Sequence, residues 1–531
     1  MSMSRECDIA ANDDLGVPMV ASTASETVHT PIVIIGAGFA GLCLGIKLRE
    51  AGIRDFVILD RGDAVGGTWR DNTYPGCAVD VASMLYSFSF EQNPRWSRLY
   101  CRREELYDYS QHIADKYQLR QHIRLNTDVT RFTFDEHADE WELLTDTSLR
   151  FRARFVLGGF GPLNRPSVPE IAGVERFTGV QFHSQEWDHG YDLRGKRVAV
   201  VGTGASAVQF VPQIAKRVAH LDLYQRSAAW LVPKFDRRIG PVEQRLFRMI
   251  PGLQKSLRLG MFLGHELLHV GQMHPQWLKG MAALSMAQLR HQVADPTLRA
   301  ALRPDYTFSC KRPMVSSDFY PALTRDNVDL RTEKITEITP TGLRDATGTE
   351  RAVDAIIWGT GFHVQDALAQ LDVRGVGGLT LANRLRQRGG MEAYKATSID
   401  GFPNLFTVLG PNGGLAHTSA LLGIELQASY LARMMRLARE RGLRRIEVTP
   451  EAVRRFTDHA HATLAGGVWS TGGCTSYFID EHGVNRGAWP GAFASMRAAF
   501  RRIDEADFTL LGDADSPSAA PQRTRQPSAV R

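Results

Sequence analysis

Pro31-Ile32-Val33-Ile34-Ile35-Gly36-Ala37-Gly38-Phe39-Ala40-Gly41 is a β-branched apolar run that ends in a GxGxxG turn. The run reads as a buried strand, and Leu42–Ala51, closed by Gly52, reads as the helix that follows. At such a turn the first Gly permits the sharp bend and the second lets a pyrophosphate approach the backbone. The third small residue lets helix pack on strand, and phosphate oxygens sit at the positive helix end. One such turn is weak evidence. A second, Gly202-Thr203-Gly204-Ala205-Ser206-Ala207, follows the run Arg197–Val201 and opens the helix-spaced stretch Ala207–Ala215. Together they predict two redox dinucleotides on one chain, with hydride passing between them.

The residue that closes each following strand predicts which nucleotide is held. Phe56–Leu59 delivers Asp60, a carboxylate suited to ribose hydroxyls and repelled by a ribose phosphate. The first site therefore suits FAD or NAD. Leu221–Tyr224 delivers Gln225-Arg226-Ser227 instead. A guanidinium there forms paired bonds to a phosphate, so the second site suits NADPH, although a lone solvated arginine is the commoner fate. Gly66-Gly67-Thr68-Trp69 and Tyr74-Pro75-Gly76, with Asp80 beyond, read on composition as a surface loop of turn formers.

The 531 residues exceed one core and predict two or three domains. Hydrophobic content of 43%, charged content of 23% and net charge of +5 are ordinary for globular protein and point to no nucleic-acid partner. No apolar stretch predicts a membrane span. The six cysteines show no CxxC pair, which reads as free thiols in a reducing cytoplasm. Residues 1–30 carry charges and no apolar centre, so they read as a disordered extension and not as a secretory signal. Residues 513–531 read as a disordered Ser/Pro/Ala/Arg tail.

Between the two turns stands Phe177-Thr178-Gly179-Val180-Gln181-Phe182-His183-Ser184-Gln185-Glu186-Trp187-Asp188. It resembles the FxGxxxHxxxW fingerprint, followed by Pro or Asp, of the type I Baeyer–Villiger monooxygenases. The stretches Gly66–Trp69, Tyr74–Asp80, Cys310-Lys311-Arg312-Pro313, Trp358–Phe362 and Gly401–Phe406 with Gly410-Pro411-Asn412 resemble further family motifs. The sister N- and S-oxygenating flavin monooxygenases are similar and form the alternative.

The resemblance implies an α/β fold with two Rossmann-like dinucleotide-binding domains of the three-layer ββα type. The FAD domain would comprise 31–170 and 365–512. The NADPH domain would comprise 176–364, interrupted by a helical insert at about 234–304. The implied reaction is NADPH- and O2-dependent conversion of a ketone to an ester or lactone through a flavin peroxide. Gly36, Gly38, Gly41, Asp60, Gly67, Thr68 and Trp69 would hold FAD, with Tyr86 and Val129 as further contacts. Thr203, Gly204, Ala205, Ser206, Ala207 and Gln209 would hold the NADP pyrophosphate, and Arg226, Ser227 and Lys311 its ribose phosphate. Arg312 would stabilise the peroxide and then the adduct oxyanion, because Arg keeps its proton where Lys can lose it. Asp80 would orient Arg312. His183 and Trp187 would couple domain movement to cofactor position. Two departures stand out: Tyr477 replaces a Trp that touches NADP in many relatives, and Gly359 replaces an Ala.

The insert holds His265-Glu266-Leu267-Leu268-His269, a full HExxH. On a helix the two His share a face and would bind zinc, with Glu266 as base, which makes a metalloprotease the remote alternative. A third ligand is missing at the expected spacings, so no metal is predicted. The helix-spaced Leu and Met read as the core of a small bundle roofing a cavity for an apolar substrate.

Overall fold

The computed structural model describes residues 27–364 and 368–512. Most of the N-terminal extension and the tail 513–531, both expected to be disordered, lie outside the described residues. The first strand begins earlier than anticipated, at Thr27. Thr27, Val28, His29 and Thr30 pair with Arg150, Phe151, Arg152 and Ala153, so the ladder itself extends the strand.

Thr27–Ile35 is central in the first sheet, flanked in parallel by Val57–Leu59 and Arg150–Gly158. Arg150–Gly158 changes partner along its length. Its first half pairs antiparallel with Glu140–Thr145 and its second half parallel with Leu405–Thr407. Two late strands, Asp372–Arg374 and Leu405–Thr407, thereby return the chain to this sheet. Trp141 is fully buried at that junction and donates its indole N–H to the Pro403 carbonyl at 2.8 Å, so its own polar atom is paired.

The second sheet is wholly parallel. Its strands run in the order Val328–Arg331, His220–Tyr224, Arg197–Val201, Ala355–Trp358, Val180–His183. A three-stranded antiparallel sheet, Ile335–Thr339, Gly342–Asp345 and Glu350–Ala352, forms the third layer. The architecture is α/β, built from two Rossmann-like units of ββα type.

Helix Phe39–Glu50 lies between the first sheet and helix Ala420–Arg441, so it is buried nearly all round. Each fully buried Leu or Ile there contributes roughly 1.5–3 kcal/mol. The insert folds as helices Pro241–Met249, Pro251–Met273, Lys279–Gln292 and Pro296–Ala301.

Candidate active site

The two Gly-rich turns have the same geometry. Gly36 has φ +93°, and a Cβ there would stand 2.6 Å from the Gly159 carbonyl oxygen. Gly202 has φ +107°, with the Gly359 oxygen 2.4 Å from such a Cβ. Only glycine fits either position. Gly38 and Gly204 open helices Phe39–Glu50 and Ala205–Ile214, and neither helix has a side-chain cap, so first-turn N–H groups face the turn. Both cradles fit the pyrophosphate of a dinucleotide.

Gly66–Trp69 corrects the reading of a surface loop. Gly66 donates its N–H to the Ala37 carbonyl at 3.0 Å, which closes this segment over the first turn. Thr68–Asp71 is a short helix with Trp69 buried at 8% exposure. Asp60 is also buried and already engaged. Its Oδ2 accepts from the Ala37 N–H at 2.6 Å, and its Oδ1 accepts from the Gly62 N–H at 2.8 Å and from Arg70 at 2.6 Å. A carboxylate accepts at about four positions, so little remains for a ribose. Val129 starts its strand beside this group, since Thr127 donates its N–H to the Asp60 carbonyl.

At the second turn Thr203 donates to the Ser227 carbonyl at 3.4 Å. Lys311 donates to the Ser227 hydroxyl at 2.8 Å. Burial and the neighbouring Arg226 charge both push the Lys311 pKa down. Two cations held close beside a hydroxyl fit a phosphate dianion. Gln209 behaves otherwise. Its amide oxygen accepts from the Tyr74 hydroxyl and the Ala78 N–H, and its amide N–H donates to the Ala78 carbonyl. It therefore clamps the second turn's helix to the loop carrying Asp80.

That loop meets Arg312. The guanidinium Nε lies 3.3 Å from Asp80 Oδ2, and Nη2 lies 3.4 Å from Oδ1. The Asp80 charge raises the Arg312 pKa against the opposing effect of burial. The side chain is enclosed by protein yet remains 30% accessible, so it faces a solvated cleft. Tyr477 also hydrogen-bonds to Arg312, and desolvation by the surrounding protein raises its pKa although the residue is 44% exposed. Trp69 donates to the Tyr86 hydroxyl at 3.3 Å with the rings edge to face. Burial pushes the Tyr86 pKa up to about 12, with Asp80 raising and Arg312 lowering it.

The fingerprint residues sit in the packing of the second unit. Trp187 lies against Phe182 and Phe210, each 5.2 Å away between ring centroids. His183 is buried, its Nδ1 accepts from the Gln185 N–H at 3.2 Å, and burial lowers its pKa.

The pyridine nucleotide-disulphide oxidoreductase family model matches residues 33–250. A Baeyer–Villiger monooxygenase of Streptomyces coelicolor is 43% identical over 495 residues, covering 93% of this chain and 95% of that protein. A Pseudomonas aeruginosa Baeyer–Villiger monooxygenase is also 43% identical, covering 92% and 93%. The chain belongs to the type I Baeyer–Villiger monooxygenases. Among solved structures, an oxidized steroid monooxygenase bound to NADP superposes on this monooxygenase with TM-score 0.81 at 28% identity, covering 91% of this chain and 100% of that one. Cyclohexanone monooxygenase from Rhodococcus sp. Phi1 bound to NADP+ gives TM-score 0.83 at 25% identity, covering 92% and 100%.

The HExxH of this monooxygenase has another role. His417 bonds Glu266 through Nε2 at 2.8 Å, and its carbonyl accepts from His265 Nδ1 at 2.5 Å. The His269 ring lies 4.8 Å from that of His417. These side chains dock the insert on the loop around His417, which the sequence reading left unassigned. Among the described residues, the His, Asp and Glu atoms that converge as a metal set would are those of His220, Asp222 and Asp329. Arg331 already binds both of those carboxylates.

Cys310 and Cys474 form a disulfide, which corrects the expectation of free thiols. Their Cα atoms are 6.1 Å apart, within bridging range, although 164 residues separate them in sequence. Cys43, Cys77 and Cys101 are free and buried, and Cys7 lies outside the described residues. Lys234 is a further group near Asp80 that the sequence reading missed. Burial lowers its pKa, and its ammonium lies 5.4 Å from the Tyr100 ring centre.

Proposed function

We propose that Arg312 and Asp80 form the reaction centre of this Baeyer–Villiger monooxygenase and that its substrate is an apolar ketone. The enzyme uses FAD, NADPH and O2. FAD and NADPH supply hydride transfer and oxygen activation when bound. In our assignment 31–170 and 365–512 hold FAD through Gly36, Gly38, Gly41, Gly67, Thr68 and Trp69, and 176–364 hold NADPH through Gly202–Ala207, Arg226, Ser227 and Lys311.

Arg312 has the properties the chemistry needs. A guanidinium has five N–H donors, and Asp80 and Tyr477 engage some of them. The donors that neither engages are available to an oxygen that gains negative charge as the carbonyl is attacked. Asp80 keeps the guanidinium charged and fixes its plane, and fixed donors stabilise developing charge without reorganising. Tyr86 and Tyr477 stay protonated at working pH, so they act as hydrogen-bonding walls of the cleft. The disulfide removes the thiol-based argument for a cytoplasmic location. We retain that location on the enzyme's demand for NADPH.

The observation that carries this reading is the Arg312–Asp80 pair facing a solvated cleft beside the two nucleotide cradles. Arg312→Ala should retain FAD and lose ester formation by at least ~10²-fold, the scale of removing one oxyanion donor. Ester formation at the wild-type rate would refute the assignment. A panel of ketones and sulfides, with products identified rather than NADPH loss alone, tests the substrate class. Sulfoxide with no ester across the panel would favour N- or S-oxygenation.

A further inference from the structure

Helix Pro251–Met273 is amphipathic in the inverted sense. Gln254, His269 and Gln272 are buried against the body of the protein, and Arg258 donates to the Ser87 carbonyl. Leu253, Leu257, Leu259, Leu263 and Leu267 point outward, with Leu267 72% exposed. At 100° per residue these five leucines span an arc of roughly 160°. The other residues of the helix on that arc are Gly252, Ser256, Gly260 and Gly264, with Val270 and Gly271 at its C-terminal end, where the arc turns in against the protein. The preceding helix, Pro241–Met249, repeats the pattern with Val242, Leu246 and Met249 on one outward stripe. Trp277 adds an indole that is 68% exposed. Among the described residues, thirteen of the sixteen exposed large hydrophobic side chains lie between 235 and 284. An apolar surface concentrated in this way marks an interaction site.

Charge selects the partner. Residues 234–304 contain eleven Lys and Arg against four Asp and Glu, while the whole chain carries only +5, so the remainder of the protein is net negative. Glu243 is paired with Arg237, and Glu266 with His417. Arg245, Arg248, Lys255 and Lys279 are exposed, and none has an ion-pair partner among the described residues. A symmetric contact with a second copy would bring these cations together. An anionic surface would neutralise them while an apolar layer beneath it received the leucines.

We propose that the outer face of helices Pro241–Met249 and Pro251–Met273 docks peripherally on an anionic lipid bilayer, leucines in the acyl boundary and Arg245, Arg248, Lys255 and Lys279 at the headgroup phosphates. Among the described residues no helix is long and apolar enough to cross a membrane, so the contact lies in the interface plane. The insert, docked through His265 and Glu266 on the loop around His417, would then face the layer in which apolar ketones dissolve.

The test is co-sedimentation of the FAD-loaded full-length enzyme with vesicles of phosphatidylcholine, with and without phosphatidylglycerol. The expected result is binding that requires phosphatidylglycerol and weakens as salt rises. Leu253→Ser with Leu263→Ser, and separately Arg245→Glu with Lys255→Glu, should each weaken it about 10-fold or more, as loss of buried apolar area or of headgroup attraction requires. Flavin content and melting temperature establish that the variants are folded, and no turnover is needed for the readout. Equal pelleting with both vesicle types, or undiminished binding by both variants, overturns the proposal. A dimer in analytical ultracentrifugation that Leu253→Ser with Leu263→Ser dissolves, together with indifference to vesicles, would assign the face to a second copy instead.

Discussion

Acidification should destabilise this enzyme through His269, and the size of the effect follows from its surroundings. The ring is 6% exposed, Nδ1 has no hydrogen-bond partner among the described residues, and the His417 ring lies 4.8 Å away. Burial, reinforced by His417 and opposed by Glu266, lowers its pKa to about 4. An unfolded chain takes up that proton near pH ~6.5. The folded protein refuses a proton that the unfolded chain accepts, so stability is full above the unfolded pKa. It is lost progressively as pH falls from 6.5 toward 4. The loss from this one group is about 1.4 kcal/mol by pH ~5.5 and about 3 kcal/mol at the lower end. Burial also lowers the pKa of His183, His265 and His461, so the wild-type curve alone cannot isolate the effect. His269→Leu can. It removes the titrating group and the unpartnered Nδ1, so it should be neutral or stabilising at neutral pH. Melting temperatures of wild type and variant, followed by flavin fluorescence across this range, should diverge as pH falls. Parallel curves would refute the reasoning.

Four further outcomes are expected. Arg226→Ala or Lys311→Ala should raise KM for NADPH by about 10–100-fold, the value of one charge-assisted hydrogen bond. KM for NADH should not move, and an equal change for both nucleotides would dismiss the phosphate role. Gly36→Ala forces an alanine to φ +93° with its Cβ 2.6 Å from the Gly159 oxygen, so the protein should purify without flavin. Gly359→Ala meets Ala207 and the Val201 carbonyl at 3.3 Å, a contact that small shifts relieve, and should keep a wild-type ratio of flavin absorbance to protein. Cys474→Ser should lower the urea midpoint by the equivalent of about 2–4 kcal/mol, because it frees a long loop in the unfolded chain. A dithiol should reproduce that shift in wild type and leave the variant unmoved.

What could be read from sequence was what lies close along the chain. Each nucleotide turn is strand, glycines and helix in succession, so Gly36–Gly41 and Gly202–Ala207 carry their geometry locally. Asp60 was legible as a strand-end acid, but Arg70 as its partner was not, because that bond depends on how Thr68–Asp71 folds over the turn. Gln209 stood in a phosphate motif while its amide reached across to Ala78, a pairing set by the docking of two units. Cys310 and Cys474 gave one usable signal: each lies within three residues of a group at the proposed reaction centre, Arg312 or Tyr477. The helix faces of the insert were least legible. Periodicity shows that one side is apolar, and whether that side turns inward is decided by Gln254, His269 and Gln272 finding partners or burial in the body of the protein.

Gln209 has a mechanical consequence. It stands on the helix whose N-terminus is the second Gly-rich turn, and its amide grips Ala78, two residues before Asp80. Movement of that helix is therefore geared to the carboxylate that aims Arg312. Nucleotide arriving at one unit would be felt as a change of aim at the other, with this glutamine as a tooth that engages both.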